Sequence, residues 1–162
     1  MRSLLVLTAA LAIVLAGCGK SADQRKLESD LNAAITKAHD EQMASVKVLD
    51  SLTSAIEAAT ARHNEIAAKY AKLVTGHTAD DLTAALAKIA SAKKSMDEWM
   101  KAYRPYDENA PHETAMAKLN KDMQDLMAVK MQIDGALKSA SAAVTDHTKF
   151  ADELMAKVAK KK

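Results

Sequence analysis

Apolar residues recur along this chain at alternating steps of four and three, from residue 31 almost to its end. In the first long stretch they fall at Leu31, Ile35, Ala38, Leu49, Leu52, Ile56, Ala59, Ile66, Tyr70 and Leu73, with Gln42, Ser45 and His63 in the same register. A heptad seam held over about six repeats is the mark of a helix that packs on other helices. Ser21 followed by Gln24 reads as a capping box at its start, and Gly76 stands where a helix-ending glycine belongs. Thr78, followed by Asp80 and Asp81, reads as the N-cap of a second helix with the seam Leu82, Ala85, Ile89, Ala92, Met96, Trp99, Tyr103. That helix has to stop before Pro105, because the residue preceding a proline avoids the helical region.

Residues 104–110 read as the one long loop. Pro111 suits the first turn of a third helix, where its missing N–H costs nothing. The third seam is Met116, Leu119, Met123, Leu126, Lys130, Ile133, Leu137, Ala140, Val144, His147, Ala151, Leu154, Val158. Met123, Met127 and Met131 run at helical spacing and read as core, while Lys130 either snorkels outward or marks a seam edge. Gly135 and the small residues 139–143 soften this stretch, and Thr145 offers a cap for a separate last helix.

The expected fold is all-α, an antiparallel bundle of three long helical stretches with coiled-coil-like seams, or four helices if a long stretch breaks. The stretches are about 53, 25 and 48 residues, or about 80, 38 and 72 Å at the helical rise. With short loops and antiparallel neighbours, the start of the first and the end of the third would overhang at opposite ends. Covering that exposed apolar stripe calls for a broken, folded-back helix or for pairing with a second subunit.

Composition agrees with helices. Two Pro, four Gly, one Trp, three Tyr and one Phe are too few turn and strand formers for a sandwich, a barrel or an α/β enzyme. Lys+Arg number 23 against 21 Asp+Glu, a near balance that does not point to nucleic acid.

The first residues read differently. Met1-Arg2-Ser3 is a short basic start, and Leu4 to Leu15 is an apolar run too short for the roughly 20 residues of a bilayer span. It ends in Leu15-Ala16-Gly17-Cys18, and Cys18 is the single cysteine of the chain. This tetrad resembles the lipobox of bacterial lipoproteins at all four positions. The resemblance implies a cleaved signal peptide over 1–17, a lipidated tether over 18–21 and a helical bundle over 22–162, with Cys18 carrying a diacylglyceryl and acyl lipid. Gly19 after the cysteine implies sorting to the outer membrane, facing the periplasm. Two or three acyl chains hold stably where one does not.

Chemistry is sparse. There is no Gly-rich phosphate loop, no nucleophile triad singled out by spacing, and no recurring Glu-x-x-His pair; no enzyme is expected. His39 and Met43 stand four apart, as do His112 and Met116, so each pair shares a helix face, and Met100 falls near the same end. Imidazole and thioether suit Cu(I), which makes these five residues the candidate metal ligands. His63 and His147 occupy seam positions, as buried neutral rings or as a pH-sensitive contact. Trp99, Tyr103 and Tyr106 gather beside the loop and read as half-buried aromatics closing one end of the bundle.

Three segments, His39-Asp40-Glu41-Gln42-Met43, Trp99-Met100 with Tyr103, and Glu113 to Leu119, together resemble small bacterial lipoproteins labelled "viral A-type inclusion protein", over roughly residues 28–140. That resemblance implies a helical envelope lipoprotein and brings no catalytic residue. The expectation is a membrane-anchored protein of the cell envelope that acts through protein–protein contact, self-association or envelope structure, and uses no cofactor beyond the lipid on Cys18. The alternative is a periplasmic His/Met copper-handling module.

Overall fold

The computed structural model describes residues 19–74 and 76–160. The signal peptide expected over 1–17 and Cys18, the expected lipid acceptor, lie outside the described residues. The chain is an all-α bundle of three helices, α1 (Ala22–Tyr70), α2 (Asp80–Ala102) and α3 (His112–Ala159), with a 3₁₀ turn at Ala71–Leu73.

The helix ends follow local chemistry. Ser21 caps α1 through its side chain, which accepts from the Gln24 N–H, and the Gln24 side chain accepts from the Ser21 N–H in return. Gly76 has a φ of 86°, the left-handed region that glycine enters without penalty, and it turns the chain between α1 and α2. The α1 helix itself stops at Tyr70, earlier than the glycine, because the 3₁₀ turn tightens its end. Thr78 is not the cap of α2: the helix starts at Asp80 behind Ala79, and the Thr78 hydroxyl donates instead to the Asp80 carboxylate at 2.9 Å. Pro111 has extended backbone and precedes α3 instead of lying in its first turn.

Neither long stretch breaks. α3 runs through Gly135 and Thr145 as one helix of 48 residues, and α1 has 49, so each is about 73 Å long against about 35 Å for α2. The overhang at opposite ends does not occur. Tyr103 to Pro111 runs on down the bundle, so α3 begins beside the start of α1, where His112 meets Glu28 at 2.8 Å. At the other end Arg62 meets Asp152 at 2.8 Å and the His63 and His147 rings lie 5.4 Å apart. The two long helices are therefore parallel and level, and each covers the stripe of the other where α2 does not reach. Above α2, Ile66, Ala151 and Leu154 close a small core with Val74 of the connecting loop, against Tyr70, Phe150 and Val158.

The main core is one row from each helix. Ile35, Leu49 and Ile56 of α1, Leu82, Ala85, Ile89, Ala92 and Met96 of α2, and Leu119, Leu126 and Ile133 of α3 are all buried. Each large aliphatic chain removed from water contributes roughly 1.5–3 kcal/mol. α3 touches both neighbours, so its buried stripe is wider than one seam. Val129, Ala136 and Ala143 are buried, while Lys130 leans out to Asp134 at 2.5 Å. That shift corrects the methionines: Met123 packs against the core, but Met127 and Met131 face solvent, 45% and 71% exposed.

Candidate functional site

Both ends of the bundle carry polar side chains in the seam. At the lower end Glu28 is 1% exposed. Its carboxylate accepts from Lys20 Nζ at 2.6 Å and pairs with His112 Nδ1 at 2.8 Å. Burial opposes ionisation of Glu28, but the hydrogen bonds from Lys20 and His112 together outweigh it and hold the carboxyl below its usual range. The residues ahead of α1 are thus tied to the bundle at Lys20, whose ammonium also sits 5.9 Å from the Tyr106 ring centroid.

Further up, His39 stacks on Trp99 with centroids 5.6 Å apart, and Trp99 stacks on Tyr103 at 5.0 Å. The Trp99 indole N–H donates to the Asp122 carbonyl and the Tyr103 hydroxyl to Asn32. Ile35, His39, Trp99, Met100 and Tyr103 line one shallow cleft, so His39 and Met100 share it. Met43 packs against the core. His112, with Met116 one turn above it, is engaged by Glu28, which lies eleven positions below His39 on α1, about 16 Å along the axis. The two His–Met pairs are not brought to one point.

The upper end holds a cluster that spacing did not reveal. His63 of α1, His77 of the α1–α2 loop and His147 of α3 offer ring nitrogens that all lie within 4.8 Å of one another. His77 contacts both other rings, at centroid distances of 5.7 Å to His63 and 4.5 Å to His147, and stacks on Phe150 at 3.8 Å. Two carboxylates border the trio. Asp146 accepts from His77 Nε2 at 3.2 Å, and Asp81 Oδ2 lies 3.6 Å from His147 Nδ1. His147 Nε2 faces the Thr78 carbonyl at 3.0 Å and its Nδ1 faces the Ala143 carbonyl at 3.2 Å. The Nδ1 atoms of His63 and His77 are buried and have no hydrogen-bond partner. Burial, and then the neighbouring His147 and His77, push the His63 ring below its ordinary pKa, with Asp81 opposing them.

His63 and His147 were visible as seam residues. His77 was not, because loop residues carry no periodicity; the available signal was a histidine just after the glycine that returns the chain to that end. Among the described residues, the trio and the adjoining set Asp81, Asp146 and His147 are the groups of His or carboxylate ligand atoms close enough to share an ion. Neither His39 nor His112 belongs to either. No helix of the described residues is long and apolar enough to cross a membrane. The chain matches no protein-family model, no curated protein and no solved structure.

Proposed function

We propose that the chain is a lipid-anchored spacer of the bacterial cell envelope, held in the outer membrane through Cys18 and acting by contact with another envelope protein. The observation that carries this reading is the tie at Lys20, two residues after the lipobox cysteine. Lys20 Nζ on the buried Glu28 carboxylate docks the tether against the base of a rod about 73 Å long. A lipid on Cys18 puts that base at the membrane and directs the other tip into the periplasm. The tip presents Leu73, 46% exposed, in one cleft with the half-buried Phe150, and Met155, 41% exposed, in another with Ile66 and Tyr70. Apolar side chains at the point farthest from an anchor suit a protein partner.

Mass analysis of the Cys18 peptide tests the anchor, paired with photocrosslinking from position 155 in intact envelopes. The expected outcome is a diacylglyceryl-cysteine at the mature N-terminus, an uncleaved and unlipidated precursor in Cys18→Ser, and one discrete crosslinked species from position 155. An unmodified Cys18 in membrane fractions overturns the anchor. Equal crosslinking from position 155 and from the lower flank at position 37 overturns the tip as the contact.

A further inference from the structure

We propose that His63, His77 and His147 form a binding site for one divalent late transition-metal ion, zinc in the first place, ligated by three imidazole nitrogens. The inference is independent of lipid anchoring and applies to the chain wherever it resides.

Hydrogen-bonding capacity fixes where the lone pair of His77 points. Ionised Asp146 only accepts, so His77 Nε2 carries the proton and its Nδ1 is left with a free lone pair. That Nδ1 is one of the buried atoms without a partner, and His63 Nδ1 is another. Buried polar atoms are nearly always satisfied, and two unsatisfied imidazole nitrogens in one cluster form a donor set that lacks only an acceptor of electron pairs. His147 completes it. Both of its nitrogens face carbonyl oxygens, and a neutral ring can donate to only one. Whichever nitrogen carries the proton, the other keeps a lone pair, and a turn of the ring away from the facing carbonyl offers that lone pair to an ion. Ala143 loses nothing when Nδ1 turns away, because its carbonyl is the i−4 acceptor of the His147 backbone N–H within α3.

The donor set selects the ion. Neutral nitrogens suit zinc, copper or nickel, whereas magnesium and calcium require oxygen ligands. With no thiolate or thioether in the trio, Cu(I) is disfavoured. A tetrahedral zinc site with bonds of about 2.0–2.1 Å needs its nitrogens about 3.4 Å apart, so the three rings close inward from within 4.8 Å. His77 can follow, since it is carried by the loop next to Gly76. Asp146 behind His77 is the carboxylate–histidine arrangement that orients a metal ligand, and Asp81 beside His147 supplies negative charge. An ion here links α1, α3 and the α1–α2 loop at the tip of the rod.

Calorimetric titration of the chelator-stripped full chain with Zn²⁺ tests the site. One ion should bind per chain, Mg²⁺ and Ca²⁺ should not bind at the same concentrations, and Co²⁺ should develop the visible absorption of tetrahedral nitrogen coordination. His77→Ala, which removes one imidazole ligand together with its stack on Phe150, should lower zinc affinity at least a hundredfold. Asp146→Asn should lower it about 10–100-fold, and His39→Ala should not change it. Failure of the wild-type chain to bind zinc overturns the proposal, as does undiminished affinity in His77→Ala. If His77→Ala fails to fold, His77→Gln, which keeps a polar side chain in the loop but removes the imidazole, is titrated in its place, and undiminished zinc affinity there overturns the site.

Discussion

Replacing Ile133 by Ala, with Met131→Ala beside it, separates the core row of α3 from the face that helical spacing alone also marks as apolar. Ile133 is 0% exposed and lies in the main core with Leu49, Ile89 and Leu126. The change removes three carbons, about 2.4 kcal/mol of transfer free energy at about 0.8 kcal/mol for each. The surrounding helices are held at both ends and collapse only partly, so a cavity term adds to it, for a total of about 3–4 kcal/mol, inside the usual range of about 2–5 kcal/mol. For a domain of this size each kcal/mol moves the melting midpoint by about 4 °C, so Ile133→Ala should melt about 12–16 °C lower. Met131 is 71% exposed, and its truncation should stay within about 0.5 kcal/mol, about 2 °C. Thermal melts by far-ultraviolet circular dichroism on the two variants measure the difference. Equal midpoints, or a larger drop for Met131→Ala, would refute the placement of α3.

Gln42→Leu should raise the melting midpoint, because Gln42 is 4% exposed and its Oε1 has no partner; relieving a buried unsatisfied acceptor is worth about 1–3 kcal/mol, and a lowered midpoint would contradict it. Gly76→Ala should cost about 1–2 kcal/mol from backbone strain alone, since φ is 86° and nothing stands within 4 Å of an added Cβ; a neutral result in denaturant unfolding would show that the turn relaxes. Glu28→Gln should destabilise the bundle at neutral pH. The folded Glu28 pKa lies below its ordinary 4.5, so its contribution is fully present above that value and fades as pH falls through the lowered one. The gap in stability between wild type and Glu28→Gln should therefore narrow below pH 4.5, and a gap that stays constant to about pH 3 would contradict the pairing.

Local chemistry made much of the fold legible. The capping box at Ser21, the left-handed Gly76, the stop before Pro105 and the α2 row from Leu82 to Met96 are fixed by interactions within a few residues, and periodicity reads those directly. What periodicity cannot read is which helix lies opposite a given face. The apparent overhang came from treating residues 104–110 as a simple turn, whereas they descend alongside Asn32 and Glu28 and let α3 start level with α1. The same limit misplaced Met127 and Met131. A helix wedged between two neighbours widens its buried stripe to include Val129, and only the contact with both α1 and α2 says on which side the widening falls. The histidine site was half legible for a related reason: the seam exposed His63 and His147, but the third member belongs to a loop, where only three-dimensional closure brings His77 to them.

The polar seam residues of α1 share one heptad position. Glu28, Ile35, Gln42, Leu49, Ile56 and His63 are all buried, and each follows the last by seven residues. The opposing row on α3 begins at His112 and continues through Leu119, Leu126, Ile133, Ala140 and His147 at the same interval. Glu28 meets His112, and His63 meets His147, across the same offset of 84 positions. Two parallel helices with repeating apolar rows have several near-equivalent registers, because aliphatic layers pack acceptably against any other aliphatic layer. The terminal rungs remove that degeneracy. A slip of one heptad would set the Glu28 carboxylate level with Leu119 and the His63 ring level with Leu154, leaving a buried charge and a buried imidazole against hydrocarbon. Such unpaired burial is strongly unfavourable, although the pairs themselves add little over an aliphatic core. Gln42 has no polar counterpart at its level on α3, where Leu126 stands, and its Oε1 goes unsatisfied, as does Nδ1 of His63. Register is thus specified at the two ends of the rod, the same two places where Lys20 docks on Glu28 and where the three histidines converge.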